Sequence, residues 1–419
     1  MSEAKRSWSP ARAEAYLRSL ELFGMRFGLD RMQRLMTAMG APQRRFASIH
    51  VVGTNGKSST VRMAAAILER HGLRTGAYLS PHLAGFNERV RIGERDLDED
   101  AFAAAVERAA HAAALVDRTL AEGDRVTQFE ALTAAAYGEL AARGVDVAVI
   151  EAGLGGRYDA TNVIPSRVQV LTNVGLEHTR WLGPTIADIA REKLAVVRDG
   201  ATLVVGALHP DAEREARAAA TRRGARLVHA PPDAGVPLAA GGAFQRPNFA
   251  LARAAAEAFL GRLDDAAVAR AAAEVTVPGR FEEIGREPLT IVDGAHNPSG
   301  VAALVASLPE AAAAASLVAV VSILDDKDAA GMLRELLPAC RVVLFTSNPN
   351  PRALPPATLD SLTRQLGFAG EAEVVADPRR ALERARALAG PAGVVLATGS
   401  IYLVAGLAHA RRTARARMP

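Results

Sequence analysis

Six consecutive residues, Gly53-Thr54-Asn55-Gly56-Lys57-Ser58, combine the chemistry needed to hold a phosphate chain. An apolar run, Ile49-His50-Val51-Val52, leads into them, and Ser59-Thr60 opens a segment of helical period behind them. Glycines let backbone N–H groups curl around a phosphate, and a helix N-terminus adds partial positive charge. Lys57 is placed to reach the outer phosphates, with a hydroxyl beside it for Mg²⁺. The general pattern G-x-x-x-x-G-K-[ST] calls for Gly at position 51, where this chain has Val51, so the motif is a shortened variant. An ordinary strand-to-helix turn is the bland alternative.

A second group follows another apolar run: Glu151-Ala152-Gly153-Leu154-Gly155-Gly156-Arg157-Tyr158-Asp159-Ala160-Thr161-Asn162. A carboxylate at the carboxyl end of a buried strand in a nucleotide-binding sheet is where a metal-holding acid belongs. Taken alone, Glu151 reads equally as a solvated strand end. The glycines do not satisfy G-x-G-x-x-G, which removes the basis for a NAD-dependent oxidoreductase. Glu177-His178 follows a third strand, and a lone His there is as readily structural as a ligand. Ser80-Pro81-His82-Leu83 offers a hydroxyl, or plain turn chemistry. Thr127-Gln128-Phe129-Glu130 reads as a helix N-cap with an acid at N3. Further along, Asp293-Gly294-Ala295-His296-Asn297, Asp325-Asp326-Lys327-Asp328 and Gly399-Ser400 place polar residues at strand ends.

Of the 50 basic residues, only Lys5, Lys57, Lys193 and Lys327 are lysines. In a chain that uses Arg for generic positive charge, a retained lysine marks a place where a planar guanidinium fails: a tight phosphate cradle or a site needing a modifiable amine. Lys5 reads as incidental, and a solvated helix face is the alternative for Lys193.

The chain has 419 residues, 49% hydrophobic and 23% charged, with a net charge of +4. That composition excludes a disordered or collagenous chain and suits two or three domains. Basic residues are scattered, and five Tyr and two Trp are few for base stacking, so small anions are expected as partners rather than nucleic acid. The longest nearly apolar stretch, residues 311–324, is too short for a membrane span and is interrupted by Ser316 and Ser322. The N-terminus lacks a signal-peptide core. One cysteine, Cys340, allows no internal disulfide and reads as a small buried apolar residue. A soluble, monomeric protein of the cytoplasm is expected, with no membrane partner.

The elements that must position these residues alternate in the manner of an α/β domain with a mostly parallel sheet. Strands are expected at 47–52, 74–79, 146–150, 167–171, 202–205 and 226–229, with helices at 58–70, 99–120, 129–143, 186–197, 210–223, 247–260 and 264–274. A Pro/Gly-rich loop covers 230–242. A smaller α/β unit then follows, with strands at 289–292, 317–321, 342–346, 373–375 and 394–397. The expected division is residues 1–280 and 281–419.

Taken together, and with Tyr16-Leu17, Asn87-Glu88-Arg89-Val90, Glu192-Lys193 and Pro278-Gly279-Arg280, these segments resemble the Mur ligase superfamily of ATP-dependent amide-bond ligases. More narrowly, they resemble the folylpolyglutamate synthase/dihydrofolate synthase family, nearly end to end. The resemblance implies an N-terminal P-loop NTPase-like domain and a C-terminal Rossmann-like domain that helps bind ATP and the incoming amino acid. It implies that Gly53, Thr54, Asn55, Gly56, Lys57 and Ser58 cradle ATP, with Asn248, Arg280 and Asp293 completing the nucleotide site. Ser80, Glu151 and His178 match Mg²⁺ ligands. Lys193 matches a lysine that is carbamylated in the family and supports a second metal. Thr127, Phe129, Glu130, Tyr158, Asp159 and Ala160 fall where the family binds the pterin, while His296 and Ser400 fall near the glutamate site. The implied reaction activates a folate or dihydropteroate carboxylate as an acyl phosphate and joins it to L-glutamate, with both ligase activities expected. Three departures stand out: Ser58 for Gly, Glu177 for Asp, and Leu194-Ala195-Val196 for Ala-Gly-Ile. The alternatives are a cell-wall ligase with a UDP-linked acceptor and a non-catalytic ATP-binding module.

Overall fold

The computed structural model describes residues 7–20, 28–308 and 317–407. Lys5 and residues 311–316 of the apolar stretch lie outside them. The described residues form two compact units, one within Met1–Pro237 and Pro247–Val275, the other within Leu238–Arg246 and Thr276–Pro419.

The first unit is built on eight strands: β1 (Ala47–Val52), β2 (Thr75–Tyr78), β3 (Val90–Ile92), β4 (Arg95–Asp96), β5 (Val147–Glu151), β6 (Val168–Leu171), β7 (Thr202–Val205) and β8 (Arg226–His229). Their order is β4-β3-β2-β5-β1-β6-β7-β8. The strands from β2 to β8 in that order pair in parallel, while β3 and β4 add an antiparallel edge. That edge escapes periodicity because its strands are three and two residues long. Val51 of β1 lies level with Glu151 of β5 and Val170 of β6, so the loops leaving these strands emerge side by side.

Strand alternation sends side chains to two cores. On one face, Ala148 and Ile150 join Phe102, Val106, Leu132 and Tyr137 of helices Glu99–Asp117 and Gln128–Ala142. On the other, Val52, Leu171, Leu203 and Val205 join Ile189, Ala190, Ala212 and Ala216 of helices Ile186–Leu194 and Pro210–Arg223. Alanine-rich helix faces bring the backbones close to the sheet.

Among the described residues, the second unit has six strands, β9 (Glu282–Arg286), β10 (Leu289–Val292), β11 (Leu317–Val321), β12 (Cys340–Phe345), β13 (Glu371–Val374) and β14 (Val394–Thr398). They are ordered β13-β12-β11-β14-β10-β9 and all parallel except β9. Cys340 begins β12, half-buried, with its Sγ 3.4 Å from the Leu336 carbonyl oxygen. No helix among the described residues is long and apolar enough to cross a membrane.

A buried ion pair ties helix Asp30–Ala38 to the first unit: Arg31 Nε donates to Glu130 at 3.2 Å, and its Nη1 donates to Asp124 at 3.4 Å. Removing one partner strands the other charge. Arg31→Met is expected to cost about 3 kcal/mol in urea unfolding followed by circular dichroism, and adding Glu130→Gln to recover part of that loss.

Candidate active site

The glycine loop begins where β1 ends, and its two glycines are required by their surroundings. Gly53 has φ of 150°, and a Cβ there would lie 1.9 Å from Thr172 Oγ1. Gly56 has φ of 83°, and a Cβ there would lie 2.3 Å from Asn248 Oδ1. The loop is therefore pressed between the end of β6 and helix Gln245–Leu260. Thr172 Oγ1 donates to the Asn55 carbonyl at 2.6 Å, Asn55 N–H donates to Asn173 Oδ1 at 2.9 Å, and Gly175 N–H donates to Thr54 Oγ1 at 3.0 Å. Asn248, expected from the resemblance at the nucleotide site, sets its Oδ1 against Gly56. Thr172 and Asn173 are contributors that sequence reasoning missed. Their one signal was two polar residues directly after a buried strand.

Helix Lys57–Arg70 starts from this loop with no side-chain cap and no acid in its first turn. Its leading N–H groups thus keep their positive character for an anion. Lys57 Nζ donates to the carbonyls of Gly53 at 3.1 Å and Thr54 at 3.0 Å.

Lys193 is buried, not on a solvated helix face, and its Nζ donates to the same Gly53 carbonyl at 2.8 Å. Burial, reinforced by Lys57, lowers its pKa to about 7. Close approach of the β5–β6 loop fixes this helix from below. A Cβ on Gly156 would come within 2.5 Å of the Lys193 carbonyl, and Arg157 N–H donates to the Glu192 carbonyl at 3.0 Å.

Glu151 is buried, not a solvated strand end. Its Oε1 accepts from Ser58 Oγ at 2.9 Å and its Oε2 from Ser80 N–H at 3.0 Å. The ends of β1, β2 and β5 are thereby joined through one carboxylate. His178 stands in the left-handed region (φ 52°) as the N-cap of helix Thr179–Leu182, with Nε2 3.8 Å from Glu177 Oε1.

The residues matched to a pterin site fall into two groups. Thr127 and Glu130 form a reciprocal capping box, and Glu130 also meets Arg31. Their polar atoms thus hold the start of the helix, while the Phe129 ring packs on Gly153, where a Cβ would come within 2.6 Å. Asp159 and Ala160 are buried and Tyr158 is 42% exposed. His82, beside Arg89 Nε at 3.0 Å, has its pKa lowered to about 3 by burial and the adjacent Arg89.

In the second unit, Asp293 follows β10 and accepts from Phe281 N–H at 2.8 Å and Ala295 N–H at 2.7 Å. Burial raises its pKa, and Arg280 opposes that. Gly294 leaves room for Arg280, whose Nη1 would meet a Cβ at 2.4 Å. His296 Nδ1 lies 2.8 Å from the Gly294 carbonyl oxygen, and buried Ser400 accepts from Tyr402 N–H at 3.2 Å.

A parallel sheet ending in a glycine–lysine loop, followed in the chain by a second α/β unit, is the arrangement expected of a Mur-type ligase. The model of the Mur ligase glutamate ligase domain matches residues 279–401. A dihydrofolate synthase/folylpolyglutamate synthase of Mycobacterium tuberculosis is 36% identical over 78% of this chain and 75% of the relative. That of Bacillus subtilis is 31% identical over 94% of this chain and 97% of the relative. Among solved structures, Mycobacterium tuberculosis folylpolyglutamate synthase complexed with ADP matches with a TM-score of 0.89 and 32% identity, over 98% of this chain and 99% of that one. Escherichia coli FolC in complex with DHPP and ADP matches at 0.85 and 29%, over 99% and 100%. The chain belongs to the dihydrofolate synthase/folylpolyglutamate synthase family.

The buried amine has a measurable consequence. Its folded pKa of about 7 lies below the ordinary 10.5, so between those values the unfolded chain binds the extra proton and stability rises with pH. Below that window the burial penalty is fully present. Lys193→Met is expected to improve stability more at about pH 6 than at about pH 10 in urea unfolding; an equal change at both would contradict the assignment.

Proposed function

We propose that this chain is an ATP-dependent ligase that joins the amine of L-glutamate to the carboxylate of a pteroyl compound, with dihydropteroate and reduced folates both serving as acceptors. The observation that carries this reading is the convergence at the β1 loop: Lys57 and Lys193 on one carbonyl, with Glu151 holding Ser58 and Ser80 beside them. A silent nucleotide binder has no need of a second buried lysine and a buried carboxylate there. The relatives' names, which pair the two synthases, supply the substrate class. A cytoplasmic, monomeric enzyme is the form proposed.

The chemistry follows from the parts. A free carboxylate is a poor electrophile, so its oxygen attacks the γ-phosphorus of ATP while the bond to the β-bridging oxygen breaks and ADP leaves. Lys57 and the N–H groups at the start of its helix offset the charge that develops on the transferring oxygens. Gly53–Ser58, Asn248, Arg280 and Asp293 are assigned to the nucleotide. The amine of glutamate then attacks the acyl carbon, the C–N bond forms, and phosphate leaves as the amine gives up its proton. His296 and Ser400 are assigned to the glutamate. Thr127, Phe129, Glu130, Tyr158, Asp159 and Ala160 are assigned to the pterin, with the Phe129 ring as its apolar surface.

The donor set at Glu151 fits Mg²⁺, which prefers hard oxygen ligands and keeps several waters. Ser80, Glu151 and His178 would hold it, and when bound it supplies Lewis-acid neutralisation of the phosphate oxygens. Carbamylation of Lys193 is the companion proposal. A buried amine with a pKa of about 7 has a neutral form at hand to attack CO₂, forming an N–C bond and releasing a proton. The resulting carbamate would serve a second Mg²⁺.

Phosphate release from Mg-ATP and L-glutamate, compared with dihydropteroate, tetrahydrofolate and no acceptor, tests the function. Release with both acceptors is expected, and one acceptor alone would narrow the activity to that branch. No acceptor-dependent release would overturn the reading. Lys57→Ala is expected to abolish release while the circular dichroism spectrum is retained; near-normal turnover would refute the role given to Lys57.

A further inference from the structure

The β5–β6 loop is held from inside the sheet by a chain of polar contacts that begins at His50. This histidine is fully buried in β1, with Nε2 2.8 Å from Thr161 Oγ1. The Thr161 hydroxyl donates to Asp159 Oδ1. Asp159 also accepts from Thr161 N–H at 3.0 Å and, through Oδ2, from Leu154 N–H at 2.7 Å. Burial raises the Asp159 pKa, while the N–H donors on both oxygens oppose that and favour the ionised carboxylate, which can only accept.

With Asp159 ionised, these contacts assign the protons. Thr161 has a single hydroxyl proton, and Asp159 takes it. The hydroxyl can therefore only accept from His50, so the imidazole carries its proton on Nε2. Its Nδ1 is left as a bare acceptor, buried without a partner. Burial and the charge of Arg198 keep the ring neutral, with a pKa lowered to about 3.

We propose that His50 is a positioning residue for the pteroyl acceptor: as an Nε2–H donor it turns the Thr161 hydroxyl onto Asp159, and Asp159 closes the Leu154–Asp159 turn that presents Tyr158. The role in acceptor binding rests on the function proposed above. Tyr137 OH donates separately to the Thr161 carbonyl at 3.0 Å, so the backbone stays tethered when His50 is changed. Loss of His50 then frees the orientation of the hydroxyl and the turn behind it, while the glycine loop keeps its own anchors at Thr172, Asn173 and Asn248.

Two measurements test this. Imidazole ¹⁵N NMR of the unmodified protein, with the His50 signal assigned by its loss in His50→Gln, is expected to show a neutral Nε2–H ring that does not titrate near the usual histidine value of about 6.5. An Nδ1–H ring, or titration in that range, would overturn the relay. In kinetics, His50→Leu is expected to raise KM for the acceptor by at least about tenfold with KM for ATP within about twofold. His50→Gln, whose side-chain amide can donate from a similar place, is expected to recover most of that loss. An unchanged acceptor KM in the Leu variant, or equal rises for acceptor and ATP, would overturn the positioning role. Absence of acceptor-dependent turnover in the unmodified protein would instead count against the proposed function, and the ¹⁵N signature would still decide the relay.

Discussion

The carbonyl oxygen of Gly53 receives two lysine side chains, Lys57 from the helix that follows it and Lys193 from a helix far along the chain. Much of the first unit is arranged so that this can happen. Gly53 must lack a Cβ to sit against Thr172, and Gly156 must lack one so that the β5–β6 loop can press on the Lys193 backbone. Helix Ile186–Leu194 is held by its apolar face against β6 and β7, which carries Lys193 into the interior. Burial, and after it the repulsion from Lys57, lowers the Lys193 pKa to about 7. The chemical result is an amine beside the glycine loop that gives up its proton far more readily than an ordinary lysine.

Glu151 performs the complementary task. A carboxylate at a buried strand end is costly unless its oxygens are occupied, and here Ser58 and Ser80 occupy them. The same contacts align the loops after β1, β2 and β5, so satisfying one buried charge also fixes the geometry of the site. Asp159 repeats the solution a few residues later, with Leu154 and Thr161 as its donors. Buried acids in this unit thus order the polar turns of loops whose apolar residues, such as Leu154, Ala160 and Ile164, pack into the cores.

The sequence made the parts with local signatures legible. Six strands of the first sheet, the glycine–lysine loop and the Thr127–Glu130 cap all rest on short-range rules, and the structure shows each at or within a residue or two of its expected place. Lysine scarcity marks Lys57, Lys193 and Lys327, and the first two meet at the Gly53 carbonyl. Less legible were features whose meaning lies in a distant partner. Nothing about Arg31 announces Glu130, and nothing about Asn173 announces the Asn55 N–H. The role of the Gly-Leu-Gly-Gly run is hidden for the same reason, since Gly153 answers to Phe129 and Gly156 to the Lys193 backbone rather than to a ligand motif. The β3–β4 edge was too short for any period to register.

The central claim is that the β1 loop is a preformed phosphate cradle whose shape depends on two glycines. Calorimetric titration of ADP into the unmodified protein and into Gly56→Ser tests it most directly, because a Cβ at position 56 would collide with Asn248 Oδ1 at 2.3 Å. The account predicts measurable binding to the unmodified protein and at least about a tenfold loss, roughly 1.4 kcal/mol, in the variant with its fold retained. Equal affinity in the two proteins would contradict it.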